Sequence, residues 1–220
     1  MKIKVLKNIM KANEDLAGEN TKTFKENKIL SVNLMSSPGA GKTTILEETI
    51  KKLNAEIKMA VIEGDLMTSK DAERIHAQGA PVVQVNTEGG CHLDANMVSK
   101  ALQEFDLEAL DVVFIENVGN LVCPANFAMG EDKKVAVLSV PEGDDKPLKY
   151  PVMFKEVDVC VLNKIDFLPY SNFNMESFRR DVKSLNPQIK IIEMSASQGT
   201  GLDEWCDWIR GEVQWKKEQK

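Results

Sequence analysis

Ser36-Ser37-Pro38-Gly39-Ala40-Gly41-Lys42-Thr43, directly after the apolar run Ile29-Leu30-Ser31-Val32-Asn33-Leu34-Met35, is the stretch on which the reading of this chain turns. It reads as strand, glycine-rich loop and helix, the helix opening through Thr44-Ile45-Leu46-Glu47-Glu48. That is the context a phosphate-binding loop needs. Glycines let the backbone wrap a polyphosphate with successive N–H groups pointing inward, and the helix N-terminus adds a favourable field. Lys42 is placed for the β- and γ-phosphates and the Thr43 hydroxyl for Mg2+, while Pro38, Gly39, Ala40, Gly41 and Thr44 complete the cradle. Such loops usually begin on glycine; this one has Ser36, which requires backbone angles that a small L-residue adopts. The stretch predicts a bound nucleoside phosphate.

Outward from the loop, strand-like apolar runs lie at 29–36, 57–64, 81–86, 111–116, 134–140, 157–162 and 189–194, with helical patterns at 42–53, 69–78, 93–105, 172–185 and 201–215. Strands alternating with helices predict an α/β fold, a mainly parallel sheet of about seven strands with helices on both faces. The near-continuous apolar character of 111–115 and 157–162 fits strands buried on both sides. Residues 1–28 are lysine-rich and weakly periodic; they read as an N-terminal extension of one or two short helices packed against a domain over 29–220 and joined by a polar segment around Gly18 to Asn27.

Composition narrows the partners. Acidic residues outnumber basic ones by 34 to 28, for a net charge of −6, which disfavours nucleic acid and anionic membranes. No run is apolar enough for a membrane span, and four irregularly spaced cysteines make no disulfide framework. The expectation is a cytoplasmic protein.

Asn163-Lys164-Ile165-Asp166 closes the run 157–162 and selects the base. Guanine presents two N–H donors on its Watson–Crick edge, and an ionised Asp166 accepts both; adenine offers no such pair. Asn163 either binds the N7/O6 side or ties this loop to the phosphate loop, and the Lys164 stem covers the ring face. After the run 189–194, Ser195-Ala196-Ser197 resembles the loop in which GTPases turn an alanine N–H toward guanine O6. Together these predict a GTP/GDP site.

Two acidic strand ends complete the phosphate side. Glu116-Asn117-Val118-Gly119 places Gly119 to offer its N–H to the γ-phosphate and Glu116 to hold Mg2+. Glu63-Gly64-Asp65 is expected beside the phosphate-loop strand, with Asp65 either a second magnesium or water-orienting carboxylate or the cap of the helix at 69–78, and Thr68 following. No glutamine or arginine stands next to these motifs in the sequence, which predicts slow intrinsic hydrolysis.

Cys91-His92 sits in a loop between a strand and a helix, and Cys123 lies shortly beyond Gly119. Two thiolates and an imidazole form a soft set suited to zinc, nickel or copper(I). Adjacent Cys-His spacing does not close a four-ligand site within one chain, so the alternatives are a site open at one position, one shared between two chains, or cysteines and a histidine with no ligand. Because Cys123 is tethered to the γ-phosphate segment, a metal there is expected to respond to nucleotide state. Cys160 and Cys206 read as packing residues and His76 as a surface residue.

The loop 36–44, the segment Glu88-Gly89-Gly90-Cys91-His92-Leu93-Asp94-Ala95, the segment Ile115 to Pro124, Lys146-Pro147-Leu148-Lys149-Tyr150-Pro151 and Asn163-Lys164-Ile165-Asp166 together resemble the hydrogenase nickel-incorporation GTPases, the HypB family. The resemblance implies a P-loop NTPase fold, a G domain of the SIMIBI type, and a GTP hydrolase that helps deliver nickel to [NiFe]-hydrogenase. It implies Cys91, His92 and Cys123 as a site for Ni2+ or Zn2+ at a dimer surface, Lys42, Asp65 and Glu116 as catalytic residues, and Thr43, Asp65 and Glu116 on Mg2+. Its implied partners are a second copy, the hydrogenase large subunit and a HypA-like nickel chaperone. Residues 1–28 hold neither cysteine nor histidine, unlike the N-terminal stretches of some relatives, so high-affinity nickel storage is not expected. Competing readings are a urease-maturation GTPase, which would show Cys-Pro-His, a P-loop small-molecule kinase, and a non-enzymatic metal carrier.

Overall fold

The computed structural model describes residues 6–65, 69–87 and 89–219. Thr68 and Glu88, singled out above, lie outside the described residues.

Seven strands, β1 (Leu30–Ser36), β2 (Met59–Asp65), β3 (Val82–Asn86), β4 (Val112–Glu116), β5 (Lys133–Ser139), β6 (Val159–Asn163) and β7 (Lys190–Glu193), form one sheet in the order β3-β2-β4-β1-β5-β6-β7. Every pairing is parallel. β1 is the central strand and every one of its residues is buried; Leu30, Val32 and Leu34 face one side, and on the other Ser31 and Asn33 are hydrogen-bonded to Asp132 and Glu131. β2 was expected beside β1, but β4 lies between them. That inserts the wholly buried strand Val112–Glu116 next to the phosphate loop and sets Glu63 laterally opposite Glu116.

Helices cover both faces. α2 (Lys42–Leu53), α3 (Lys70–His76) and α8 (Leu202–Glu218) pack over Leu30, Val32, Leu34 and Phe114. On the other face α1 (Leu6–Glu26) and α4 (Ala95–Leu102) cover Ile62, Val113 and Ile115, while α6 (Pro151–Glu156) and α7 (Met175–Leu185) cover Met35, Ala136 and Cys160. The short helix α5 (Lys146–Lys149) and α6 form the β5–β6 crossover. The sequence reading had no helix here; Pro147 and Pro151 at their first turns keep both pieces too short to show periodicity.

α1 is one helix running through Gly18, rather than short helices with a polar link. It packs against the sheet as expected, but the stretch read as a polar link belongs to the packed helix, since Phe24 is fully buried within the same core as Ile62 and Ile115. α4 begins at Ala95, not 93, because the Asp94 side chain caps it by accepting from the Met97 N–H at 2.8 Å. This leaves Cys91 to Leu93 as a loop. No helix of the described residues is long and apolar enough to cross a membrane.

Candidate functional site

The carboxyl ends of β1, β2 and β4 open into a cleft of about 410 Å³ lined by the phosphate loop, Glu63 to Asp65, Asp71, Arg74, Glu116 to Gly119 and Lys164. Ligands of parallel α/β sheets bind at this end of the strands. Ser36 is the last residue of β1 and is extended, so serine meets no strain there. Gly39 and Gly41 have φ of 78° and 102°, a region L-residues avoid. Gly41 has a second constraint: a Cβ would lie 2.5 Å from the Asn163 amide. Gly119 is required by space alone, as its Cβ would come within 2.9 Å of Pro38.

Lys42 folds over the cradle and donates to Ser36 Oγ at 2.8 Å. Thr43 Oγ1 donates to Glu116 Oε1 at 2.7 Å, which brings the two expected magnesium groups into direct contact. Burial pushes the carboxyl of Glu116 up from its ordinary pKa, against the pull of Lys42 and the Thr43 hydrogen bond. Glu63 is pushed up to about 8, first by burial and then by the nearby charge of Glu116. Sequence reasoning gave Glu63 no role; the strand alternation and the adjacency of β2 and β4 aim it into the cleft. Asp65 ends β2 and lines the cleft, whereas the cap position of α3 is Ser69, so Asp65 is not the cap.

Arg74 corrects the expectation that no arginine is near. It lines the cleft from α3, donating to Thr44 Oγ1 at 3.0 Å, to both oxygens of Glu47 and to Asp71 at 2.9 Å. Thirty-two positions of chain separate it from Lys42, and only the packing of α3 on α2 brings it there.

At the base side, Asn163 ties the loops together. Its Nδ2 donates to Ala40 O at 2.9 Å and its Oδ1 accepts from the Ala196 N–H at 3.1 Å. Of the two roles weighed for Asn163, the structure shows the tie. The Ala196 amide expected at guanine O6 faces Asn163 here. Lys164, left-handed at φ 59°, lays its ammonium on Gly39 O at 2.6 Å. Buried oxygens without a partner among the described residues include Ser37 Oγ, Glu63 Oε2 and Glu116 Oε2 on the phosphate side, and Asp166 Oδ1 and Ser195 Oγ on the base side. Unpaired buried acceptors are costly, and these mark where a polar ligand and a cation fit.

The second cluster is Cys91, His92 and Cys123, whose donor atoms all lie within 4.8 Å of one another. Cys91 Sγ and His92 Nδ1 are 3.4 Å apart. An N/S site around a tetrahedral ion needs donors roughly 3.5–3.8 Å apart, so the residues fit with a small inward movement. The His92 ring rests on Phe127 at 4.0 Å between centroids. Burial lowers the His92 pKa, which favours the neutral ring with one nitrogen able to ligate a metal, and the Cys91 thiol is held up first by its hydrogen bond with Cys123. Three donors on one exposed loop pair leave a coordination position open.

The two sites share a wall. Asn117, next to Glu116 and buried, accepts from both the Leu93 and Val118 N–H groups at 3.0 Å. Asn120 donates to Cys91 O at 3.2 Å and accepts from the Val122 N–H at 2.8 Å. Leu93 also presses on Gly64, where a Cβ would lie 2.8 Å from its side chain. The metal loop is thus bound to both acidic strand ends of the cleft.

A parallel sheet with a phosphate loop at its central strand, and an Asn-Lys-x-Asp loop locked onto that cradle, defines a P-loop protein of the GTPase class. A family model described as CobW/HypB/UreG, nucleotide-binding domain, matches residues 30–193. The chain is 51% identical over 201 residues to the hydrogenase maturation factor HypB of Escherichia coli K12, covering 91% of this chain and 69% of that one. A hydrogenase/urease maturation factor HypB of Helicobacter hepaticus is 38% identical over 213 residues, covering 94% and 86%. The crystal structure of HypB from Helicobacter pylori in complex with nickel superposes with a TM-score of 0.88 at 37% identity, covering 95% of this chain and 98% of that one. The chain belongs to the CobW/HypB/UreG family and, within it, to the HypB maturation factors.

Proposed function

We propose that this chain is a metal-binding GTPase that assists nickel insertion into [NiFe]-hydrogenase, with nucleotide state gating the metal at Cys91, His92 and Cys123. The observation that carries this is the wall formed by Asn117 and Asn120 between the cleft and the metal loop. The names of its relatives supply the hydrogenase and the nickel.

Lys42 releases Ser36 to meet the β- and γ-phosphates, and Asp166 pairs with the guanine edge. Thr43, Glu116 and Asp65 would hold Mg2+, which would neutralise phosphate charge there. Glu116 adjoins Asn117, whose side chain holds the Leu93 N–H, so a change in the Thr43–Glu116 contact would reach the Cys91–His92 loop. Gly119 lies against Pro38, so a γ-phosphate that displaces Gly119 also shifts Cys123 further along the same segment. Hydrolysis is slow, because the Arg74 guanidinium is held by Glu47 and Asp71 and stays back from the phosphate. Zn2+ competes for the same soft donors. The chain works in the cytoplasm as a homodimer linked to GTP and metal, receiving nickel from a HypA-like chaperone and serving the hydrogenase large subunit.

The test is nickel and zinc affinity by chelator competition, with GDP and with a non-hydrolysable GTP analogue, for the wild type and Cys91→Ala. A nucleotide-dependent difference that the variant loses is expected; equal affinities in both states would sink the gating. The name of the Helicobacter hepaticus relative favours a second recipient, urease, which a maturation assay on both apo-enzymes distinguishes.

A further inference from the structure

Asn13 and Asn20 lie on the face of α1 turned toward α4, and each spans the same gap in the chain. Asn13 accepts from the Ala95 N–H at 3.0 Å and donates to Ala128 O at 2.8 Å. Asn20, buried, donates to Ala95 O at 2.8 Å and to Met129 O at 2.9 Å. Beside them the Thr21 hydroxyl lies between two carbonyls, Ala17 O at 3.0 Å and Gly130 O at 3.3 Å. Gly130, at φ 92°, lies so close to α1 that a Cβ would stand 2.6 Å from Ala17 O.

The two backbone segments so joined continue directly from the metal ligands. Ala95 follows the loop Cys91-His92-Leu93-Asp94, and Ala128 and Met129 follow the turn from Cys123 through Phe127. They belong to different crossovers, β3 to β4 and β4 to β5. On the solvent side the two segments meet through Asn120 and through His92 on Phe127. On the inner side α1 supplies both bridges, and each is a single amide that contacts the two segments at once.

We propose that α1 is the positioning element of the metal centre. Asn13 and Asn20 hold the Cys91–His92 loop and the Cys123 segment at the spacing that brings their donors into one cluster. This rests on reading that cluster as a metal centre. A side chain that bridges two backbone segments fixes their distance as a second-shell partner fixes a ligand, and loss of such partners commonly weakens metal binding by about 10–100-fold.

The experiment uses the full chain with Ni2+ and with Co2+ as a spectroscopic probe, in Asn13→Asp and Asn20→Ala. Asn13→Asp keeps the acceptor for the Ala95 N–H, adds charge at a helix N-terminus where charge is favourable, and turns the contact to Ala128 from a hydrogen bond into a repulsion between two acceptors. Expected are nickel affinity weaker by about 10-fold, a reduced thiolate-to-cobalt charge-transfer band, and faster amide exchange at 91–95 and 123–129 in the metal-free chain, with GDP affinity unchanged. Asn20→Ala gives the larger effect; if it does not fold, Asn13→Asp decides alone. Unchanged nickel affinity and exchange overturn the proposal, and so does an equal fall in GDP affinity, which marks general loosening. A wild-type chain that takes up neither nickel nor cobalt overturns the metal reading instead, and the exchange data then decide whether α1 holds the two segments.

Discussion

The phosphate cradle and the metal loop share a wall but are held in opposite ways. The cradle is fixed from within: Lys42 and Glu116 are buried, Gly119 lies against Pro38, and Asn163 clamps Ala40. The proposed metal donors stand toward the surface, with Cys91 exposed, and are fixed from behind by asparagine amides on Asn117, Asn13 and Asn20 and on the solvent side by Asn120. Tight steric packing preserves one geometry, whereas hydrogen-bonded loops open at a lower free energy. The difference suits the proposed roles, a cradle that grips a fixed phosphate and a loop that acquires and releases an ion.

Breaking the cradle gives the largest effect. Lys42→Ala is expected to reduce GTP hydrolysis by about 100-fold or more, about 3 kcal/mol, measured in steady state. Nickel affinity of the nucleotide-free variant stays at the wild-type value, because Lys42 touches no metal donor. The converse break is Cys123→Ala, which weakens nickel by about 100-fold in chelator competition while GDP affinity is retained.

Gly119→Ala tests the steric lock itself. Its new Cβ meets Pro38 backbone, so stability falls by about 1–3 kcal/mol in denaturant unfolding and GTP affinity falls with it. Asn117→Ala sharpens the comparison, since both sites survive and only their connection is cut. Nickel affinity with GDP and with the GTP analogue then converges, each moving only about two- to fivefold on its own.

The smallest effect concerns Glu63. Its folded pKa of about 8 lies above the unfolded carboxylate value, so the folded chain binds the extra proton between those limits. Stability of the nucleotide-free chain therefore falls as pH rises through that window and levels off above it. Glu63→Gln removes this slope, and melting curves taken across the window are expected to differ from wild type by about 2–4 °C at the upper end. A parallel slope in the variant would assign the pH dependence to other groups.

The parts legible in the sequence are those whose cause is local. The phosphate loop, its helix from Lys42 to Leu53, and the Asn-Lys-x-Asp turn each carry their chemistry in consecutive residues. Arg74 and Glu63 were not legible because their direction depends on which helix and which strand become neighbours. The insertion of β4 between β1 and β2 is likewise a property of long-range pairing. α1 was hidden by its own chemistry. Its buried face carries Ala17, Asn20 and Phe24, and asparagines paired with distant carbonyls read as solvent-facing until those carbonyls are placed.

That placement has a consequence for the order in which the protein assembles. α1 precedes in the chain the carbonyls that receive Asn20, which belong to Ala95 and Met129. At roughly 5–20 residues per second, about 5–20 s of synthesis separates the helix from its last anchor. Through that interval Phe24 lacks its complete core, and α1 docks fully only once the chain as far as Met129 has been made. Closure of the metal centre thus reports that translation has passed β4 and that the sheet behind it is in place.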